Sequence, residues 1–264
     1  MKKFVLANIA IILVFSVKAQ LAIPVGKQLQ LITKQTLSNT TSIMGQDVDI
    51  KIENNLVTAA EVKAATNTSV TLNATIKKVS GSISGMGQEQ QFDSDAKDPS
   101  NNPMLGSIFK DLNKTEEVVL KLEKTAAKSL NMPLGMENMA SVTLQDLIMP
   151  VEAIGKPELH KWTSEFSGTD GSKSATIYTV SKVTNSEIEI TINETANLTG
   201  NVQQMGMDLK QNITGTKTTI LLYDAMSKML KTSVQKLDFT GTMEEVMGTN
   251  APIKLNGTIT ISVQ

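Results

Sequence analysis

The single histidine, His160, stands in Pro157-Glu158-Leu159-His160-Lys161-Trp162, and the chain contains no cysteine. A Ser-His-acid or Cys-His catalyst needs an imidazole beside its nucleophile. His160 has no thiol to activate and no Gly-x-Ser-x-Gly elbow occurs, so a place in a turn leading into a strand competes with any catalytic role. A zinc site built on histidine meets the same scarcity. Ser-x-x-Lys, the spacing by which lysine activates serine in penicillin-interacting enzymes, occurs at Ser94 to Lys97, Ser107 to Lys110 and Ser233 to Lys236. Serine and lysine are common enough that about two such matches arise by chance. No Lys-Thr-Gly or Ser-Asp-Asn element accompanies them.

Metal chemistry has two candidates. Asp93-Ser94-Asp95-Ala96-Lys97-Asp98 resembles the start of a calcium loop, because hard cations want clustered carboxylates, yet the sixth position is Asp98 rather than glycine and the twelfth is Met104 rather than glutamate. A solvated loop after a strand is the competing reading. Met132, Met136 and Met139 offer thioethers to Cu(I), a soft ion, or serve as adaptable apolar filler. Asn39, Asn67, Asn73, Asn193 and Asn212 each begin an N-glycosylation triplet, a pattern that Asn/Thr-rich wet strand faces also produce. The expectation is therefore no catalytic residue, no metal, no cofactor, and ligand-binding residues that these motifs leave unassigned.

The elements that must carry any site are strands. Ile253-Lys254-Leu255-Asn256-Gly257-Thr258-Ile259-Thr260-Ile261-Ser262-Val263 alternates apolar and polar residues at almost every step, which is a strand with one wet face. The same pattern runs through Val48, Ile50, Ile52, through Val70, Leu72, Ala74, Ile76, and through Ile188, Ile190, Ile192. Threonine, asparagine and lysine on the other phase fit half-exposed antiparallel sheet. Pro99, Pro103, Pro133, Pro150 and Pro157 fall where alternation fades, so Met104 to Leu112 is expected as a short helix, while Lys114 to Ser129 carries both strand and helix patterns.

This divides the chain into residues 1–19, a signal peptide; 20–98, an N-terminal β half; 99–157, a connecting segment with short helices; and 158–264, a C-terminal β half. Met-Gly pairs at Met44-Gly45, Met86-Gly87, Met205-Gly206 and Met247-Gly248 repeat with one spacing in both halves, offset by about 161 residues. An internal duplication explains this, with hairpins turning near Ala65-Thr66-Asn67 and Met226-Ser227-Lys228. Glycine suits such tight turns, and methionine beside it would cap a sheet edge or line an apolar mouth.

Lys2 and Lys3 precede an apolar run from Phe4 to Val17, and Val17-Lys18-Ala19 suits cleavage before Gln20, so export to the periplasm or the cell exterior is expected. The run is shorter than a membrane-spanning helix requires, and without cysteine there is no lipobox or disulfide framework. The mature chain keeps 22 lysines against 26 carboxylates, with no arginine. Nucleic acid is accordingly excluded as a partner, and guanidinium clamps are absent. Aromatic residues are only 3% of the chain, too few for a stacking platform or the girdles of a transmembrane barrel.

Met44 to Gln46 and Met86 to Gln88, the strand end Gln91-Phe92-Asp93-Ser94, and Gly155 to Trp162 resemble a family of exported, β-rich bacterial proteins that carries a domain of unknown function. Lys156 to Lys161 stretch the last of these elements beyond the family's Gly-x-x-Trp spacing. The resemblance implies a β-rich envelope protein and transfers no catalytic or ligand residues. The expected fold is mainly antiparallel β, with two similar halves forming one elongated or curved, half-barrel-like sheet system. The leading function is a non-enzymatic envelope binding or carrier protein for a hydrophobic small molecule. A structural protein working against another envelope protein is the alternative, and an enzyme comes third.

Overall fold

A computed structural model describes residues 23–43, 46–66, 69–85, 87–96, 112–121, 146–169, 171–204, 207–244 and 250–264. The chain forms β1 (Gln28–Ile43), β2 (Gln46–Ala65), β3 (Ser69–Gly85), β4 (Gln88–Asp93) and β5 (Thr115–Lys121). After a 3-10 turn at Val151–Ala153 come β6 (Lys161–Ser167), β7 (Lys173–Val183), β8 (Glu187–Gln204), β9 (Met207–Asp224), β10 (Leu230–Glu244) and β11 (Asn250–Val263). All eleven belong to one antiparallel sheet ordered β4-β3-β2-β1-β11-β10-β9-β8-β7-β6, with β5 pairing β3 beside β4. The sheet is open, ending on β6 at one side and on β4 and β5 at the other.

The seam between the halves is β1 on β11, in register from Leu31↔Val263 to Thr41↔Ile253. On both sides of it lies a four-stranded meander, β1 to β4 and β8 to β11, and strand ranges in the second sit about 161 residues beyond those in the first. The Met-Gly pairs lie outside the described residues except for Gly87, whose φ of 75° suits a hairpin turn. The strand ends that approach them, Ile43↔Gln46, Gly85↔Gln88, Gln204↔Met207 and Glu244↔Asn250, all fall at the same end of the sheet. The expected turns at Ala65-Thr66-Asn67 and Met226-Ser227-Lys228 join β2 to β3 and β9 to β10 at the opposite end.

Within the ambiguous stretch Lys114 to Ser129, the structure makes residues 115–121 a strand, while residues 122–129 lie outside the described residues. Residues 115–121 pair with β3, placing Leu120 opposite Val70 and Val118 opposite Leu72. The expected helix at Met104 to Leu112 lies outside the described residues apart from Leu112, which bridges to Ile76. The expected signal peptide at residues 1–19 and Met132, Met136 and Met139 also lie outside them.

One face of the sheet carries the buried phase of every long strand. Leu31, Val62, Leu72, Ile190, Leu221 and Ile261 are almost fully buried, while the other face is hydroxyl- and lysine-rich. An open sheet of this width curls rather than lying flat, and curling lets strands cover one another's apolar sides. Glycines mark its tightest places. A Cβ on Gly215 would overlap Asp238 O and the Cα of Phe239, and one on Gly241 would overlap Asn212 O and the Cα of Ile213. Such close strand approach is open only to glycine.

Candidate functional site: a polar belt across the concave face

The buried face is not uniformly apolar. At the end where β1 begins, one large cluster joins residues from β1, β2, β3 and β5 to residues from β7 through β11. Leu147, Met149 and Ala153, all at 0% exposure, fill this end as a plug. The plug is pinned to the β9–β10 turn by Met149 N–H donating to Lys228 O at 2.9 Å and Leu230 N–H donating to Leu147 O at 2.9 Å. Buried Tyr223 donates its hydroxyl to Asp146 O at 3.0 Å, and burial holds its phenol well above the ordinary tyrosine range.

Toward the Met-Gly end the apolar residues divide. Ala196, Leu198, Ile213, Phe239, Ile253 and Leu255 form one cluster on β8 to β11, and Leu56, Val79 and Phe92 form another on β2 to β4. Polar side chains cross the face between the large cluster and the β8–β11 cluster, whereas Leu56 stands level with Ile261 and Phe92 level with Asn54. Register places Gln35, Gln235 and Thr219 in one row with Asn54, and all four are buried. Asn54 Nδ2 donates to Gln35 Oε1 at 3.5 Å.

In the next row β8 and β9 set Glu194 directly opposite Lys217, with Thr176 of β7 beyond Glu194. Lys217 Nζ lies 2.8 Å from Glu194 Oε2, and the side chains are 18% and 6% exposed. Removing two charges from water costs several kcal/mol per ion, which Coulomb attraction barely repays, so fold stability alone gives no reason for this pair. Thr41, 2% exposed beside Ile253, and Ser233, 0% exposed between Leu221 and Ile261, have hydroxyls without a hydrogen-bond partner among the described residues. Buried hydroxyls are ordinarily satisfied.

The sequence candidates fall elsewhere. Ser233 and Lys236 share β10, where positions three apart point to opposite faces; Ser233 is buried on the concave side and Lys236 exposed on the convex side. Lys236 is therefore not placed to activate that serine. Ser94 is spent on the strand end, its Oγ accepting Val79 N–H at 3.1 Å, and Lys97 lies outside the described residues, as do Ser107 and Lys110. Asp93 and Asp95 face Lys78, with Nζ–O distances of 3.4 and 2.5 Å, and backbone N–H of Asp95 holds the Asp93 carboxyl below its usual range. His160 precedes β6 and stacks on Trp162, centroids 5.9 Å apart, which stacks on Tyr178 at 5.0 Å. Among the described residues, no three His, Cys, Asp or Glu side chains gather as a metal site would require.

Sequence reading missed the belt, although a signal was present. Glu194 continues the phase of Ile188, Ile190 and Ile192, and Lys217 shares the phase of Leu221 and Tyr223. A charge in the apolar phase of a strand marks an interior that is not wholly dry.

No protein-family model matches this chain, and no curated protein matches it. Among solved structures, lipovitellin, from a study of lipid–protein interactions, is similar over 91% of this chain with a TM-score of 0.50 and 9% identity. The chain spans about a quarter of that protein, 26% of its length. An outer membrane channel from Pseudomonas putida F1 aligns over 93% of this chain and 98% of its own at 8% identity, with a TM-score of 0.32. At these identities the likeness to lipovitellin concerns the fold alone.

Proposed function

We propose that this protein is an exported, non-enzymatic carrier or binding protein for an apolar ligand, seated on the concave face of its open sheet. The observation that carries this is the division of the face. One end is a continuous plugged core, and beyond it the face carries two further apolar clusters that do not merge among the described residues. Half-buried Ile50, Ile52 and Ile83 line the sheet near that second end. A curved sheet with apolar side chains and a few placed polar groups is suited to an elongated guest. Lipovitellin, whose fold this sheet resembles, was solved for its lipid–protein interactions, which agrees with the reading.

Export rests on Met1 to Ala19, and the resemblance to exported β-rich bacterial proteins belongs to the same proposal. An ancestral duplication of a four-stranded meander is supported by matching strand ranges at one offset. Opposed Ser233 and Lys236, and a histidine occupied in stacking, support a non-catalytic role. Native mass spectrometry of protein purified gently from its own envelope, followed by lipid extraction, tests the carrier reading. A bound amphiphile is expected; ligand-free protein from several preparations would overturn it.

The alternative is a structural partner of another envelope protein. It is favoured by the open edge at β6, whose outward Lys161, Thr163, Glu165 and Ser167 are exposed and whose outer backbone has no neighbouring strand among the described residues.

A further inference from the structure

Resting on the carrier reading, we propose that the Glu194–Lys217 pair receives the head of a zwitterionic amphiphile, one bearing both a phosphate-like anion and an ammonium. The pair is the direct cross-strand neighbour of two different chemistries on the concave face. Two residues further along the same strands stand Ala196 and Gly215, where the apolar cluster of Leu198, Ile213, Phe239, Ile253 and Leu255 begins. Thr176 and Thr219 flank the pair on its other sides. A head held at the charges would lay its tail on that cluster.

Charge matching selects the class of head. When phosphate takes Lys217 and ammonium takes Glu194, one ion pair is exchanged for two and no buried charge loses its partner. An anionic head would compete for Lys217 and leave Glu194, 6% exposed, without its counter-ion, an arrangement that buried sites strongly disfavour. A head with no charge gains nothing from either group. Lys217 keeps 18% of its surface exposed, so the pair is approached from the lysine side. Thr41, whose buried hydroxyl beside Ile253 has no hydrogen-bond partner among the described residues, is suited to an oxygen acceptor such as an ester group.

The test is lipid uptake by the full mature protein from vesicles holding equal amounts of phosphatidylethanolamine, phosphatidylglycerol and diacylglycerol, with bound lipid quantified by mass spectrometry. Phosphatidylethanolamine is expected to exceed phosphatidylglycerol by about tenfold, the effect of one well-placed buried charge contact. Glu194→Gln combined with Lys217→Gln removes both charges without stranding either, and should bring that ratio to about one by lowering phosphatidylethanolamine uptake toward that of diacylglycerol. Uptake without preference in the native protein, or a preference that survives in the double variant, overturns the head assignment and leaves the carrier reading standing. No uptake of any lipid overturns both. The native protein's selectivity needs no variant, so a folding failure in the double variant does not shield the proposal.

Discussion

The two ends of the concave face are built from the same strands and filled differently. Where β1 begins, Leu147, Met149 and Ala153 enter between the walls and one apolar cluster reaches from β3 to β8. Toward the Met-Gly end β8 to β11 carry a smaller, separate cluster, with glycines at Gly215 and Gly241 pulling neighbours close. The first end is the place where folding free energy is concentrated, and the second is a surface shaped by backbone curvature. Alternation in sequence is equally clear at both, so patterning alone does not separate a filled core from a lining.

Truncation should separate them most sharply. Ile190→Ala, at 0% exposure in the plugged end, is expected to cost about 4 kcal/mol, because a closed core relaxes little around a new cavity. Ile253→Ala, in the smaller cluster, should cost about 2 kcal/mol, since water or a guest refills a lining more easily. Urea unfolding of both variants measures the difference. Equal costs would mean that the second end is as tightly filled as the first.

Glycine substitutions probe curvature by itself. Gly215→Ala drives a methyl into the backbone of Asp238 and Phe239 and should cost about 3 kcal/mol. Gly85→Ala meets nothing nearer than 3.4 Å, ordinary contact, and should change stability by less than about 1 kcal/mol. If the two behaved alike, strand approach at Gly215 would not be what bends the sheet.

Much of the sheet is legible in the sequence. Val48-x-Ile50-x-Ile52 and Ile188-x-Ile190-x-Ile192 declared their buried phase, and period two leaves no choice about which face follows. The turns near Thr66 and Ser227 were also readable, because loop residues interrupt alternation there. The β1–β11 seam was not. It joins residues more than two hundred positions apart, and any half-exposed strand offers the same hydrogen bonds to any other. Equally hidden was the plug, since Leu147-Ile148-Met149 is a short apolar run with no period to identify its partner. The Glu194–Lys217 pair depended on the β8–β9 register, its members 23 residues apart yet face to face across a hairpin.

The plugged end hangs on the β9–β10 turn, and Asp224 organises that turn. Its Oδ1 accepts from Met226 N–H at 3.0 Å, Ser227 N–H at 2.7 Å and Ser227 Oγ at 2.9 Å. These bonds, the Ser227 backbone first and its hydroxyl second, hold the carboxyl below its ordinary 3.8. A depressed carboxyl contributes fully above 3.8 and loses that contribution as pH falls through its lower folded value. Asp224→Ala should therefore cost about 1 kcal/mol at neutral pH, the low side of a charged cap because solvent reaches it, and the loss relative to the native protein should shrink in acid. Thermal melts at neutral pH and below 3.8 would show it. A deficit that persists unchanged in acid would assign Asp224 a packing role instead.

The smallest effect is expected at the rim of that same end. Lys231 Nζ lies 2.5 Å from Glu187 Oε1, and each group's titration is displaced toward its charged form chiefly by hydrogen bonding to the other. The pair is intact across neutral pH. Its stabilisation is lost as pH falls through the lowered value of Glu187, and again as pH rises through the raised value of Lys231. Both groups meet water, so salt at about 0.15 M screens much of the attraction and Glu187→Gln should barely move the melting temperature. At low salt the same variant should melt slightly earlier than the native protein. Backbone pairing at this corner does not depend on the carboxylate, because Glu187 N–H bonds Thr184 Oγ1 and Thr184 N–H bonds Glu187 O in either variant. A large, salt-sensitive loss would place the strength of this end in its charged rim rather than in Leu147, Met149 and the core they fill.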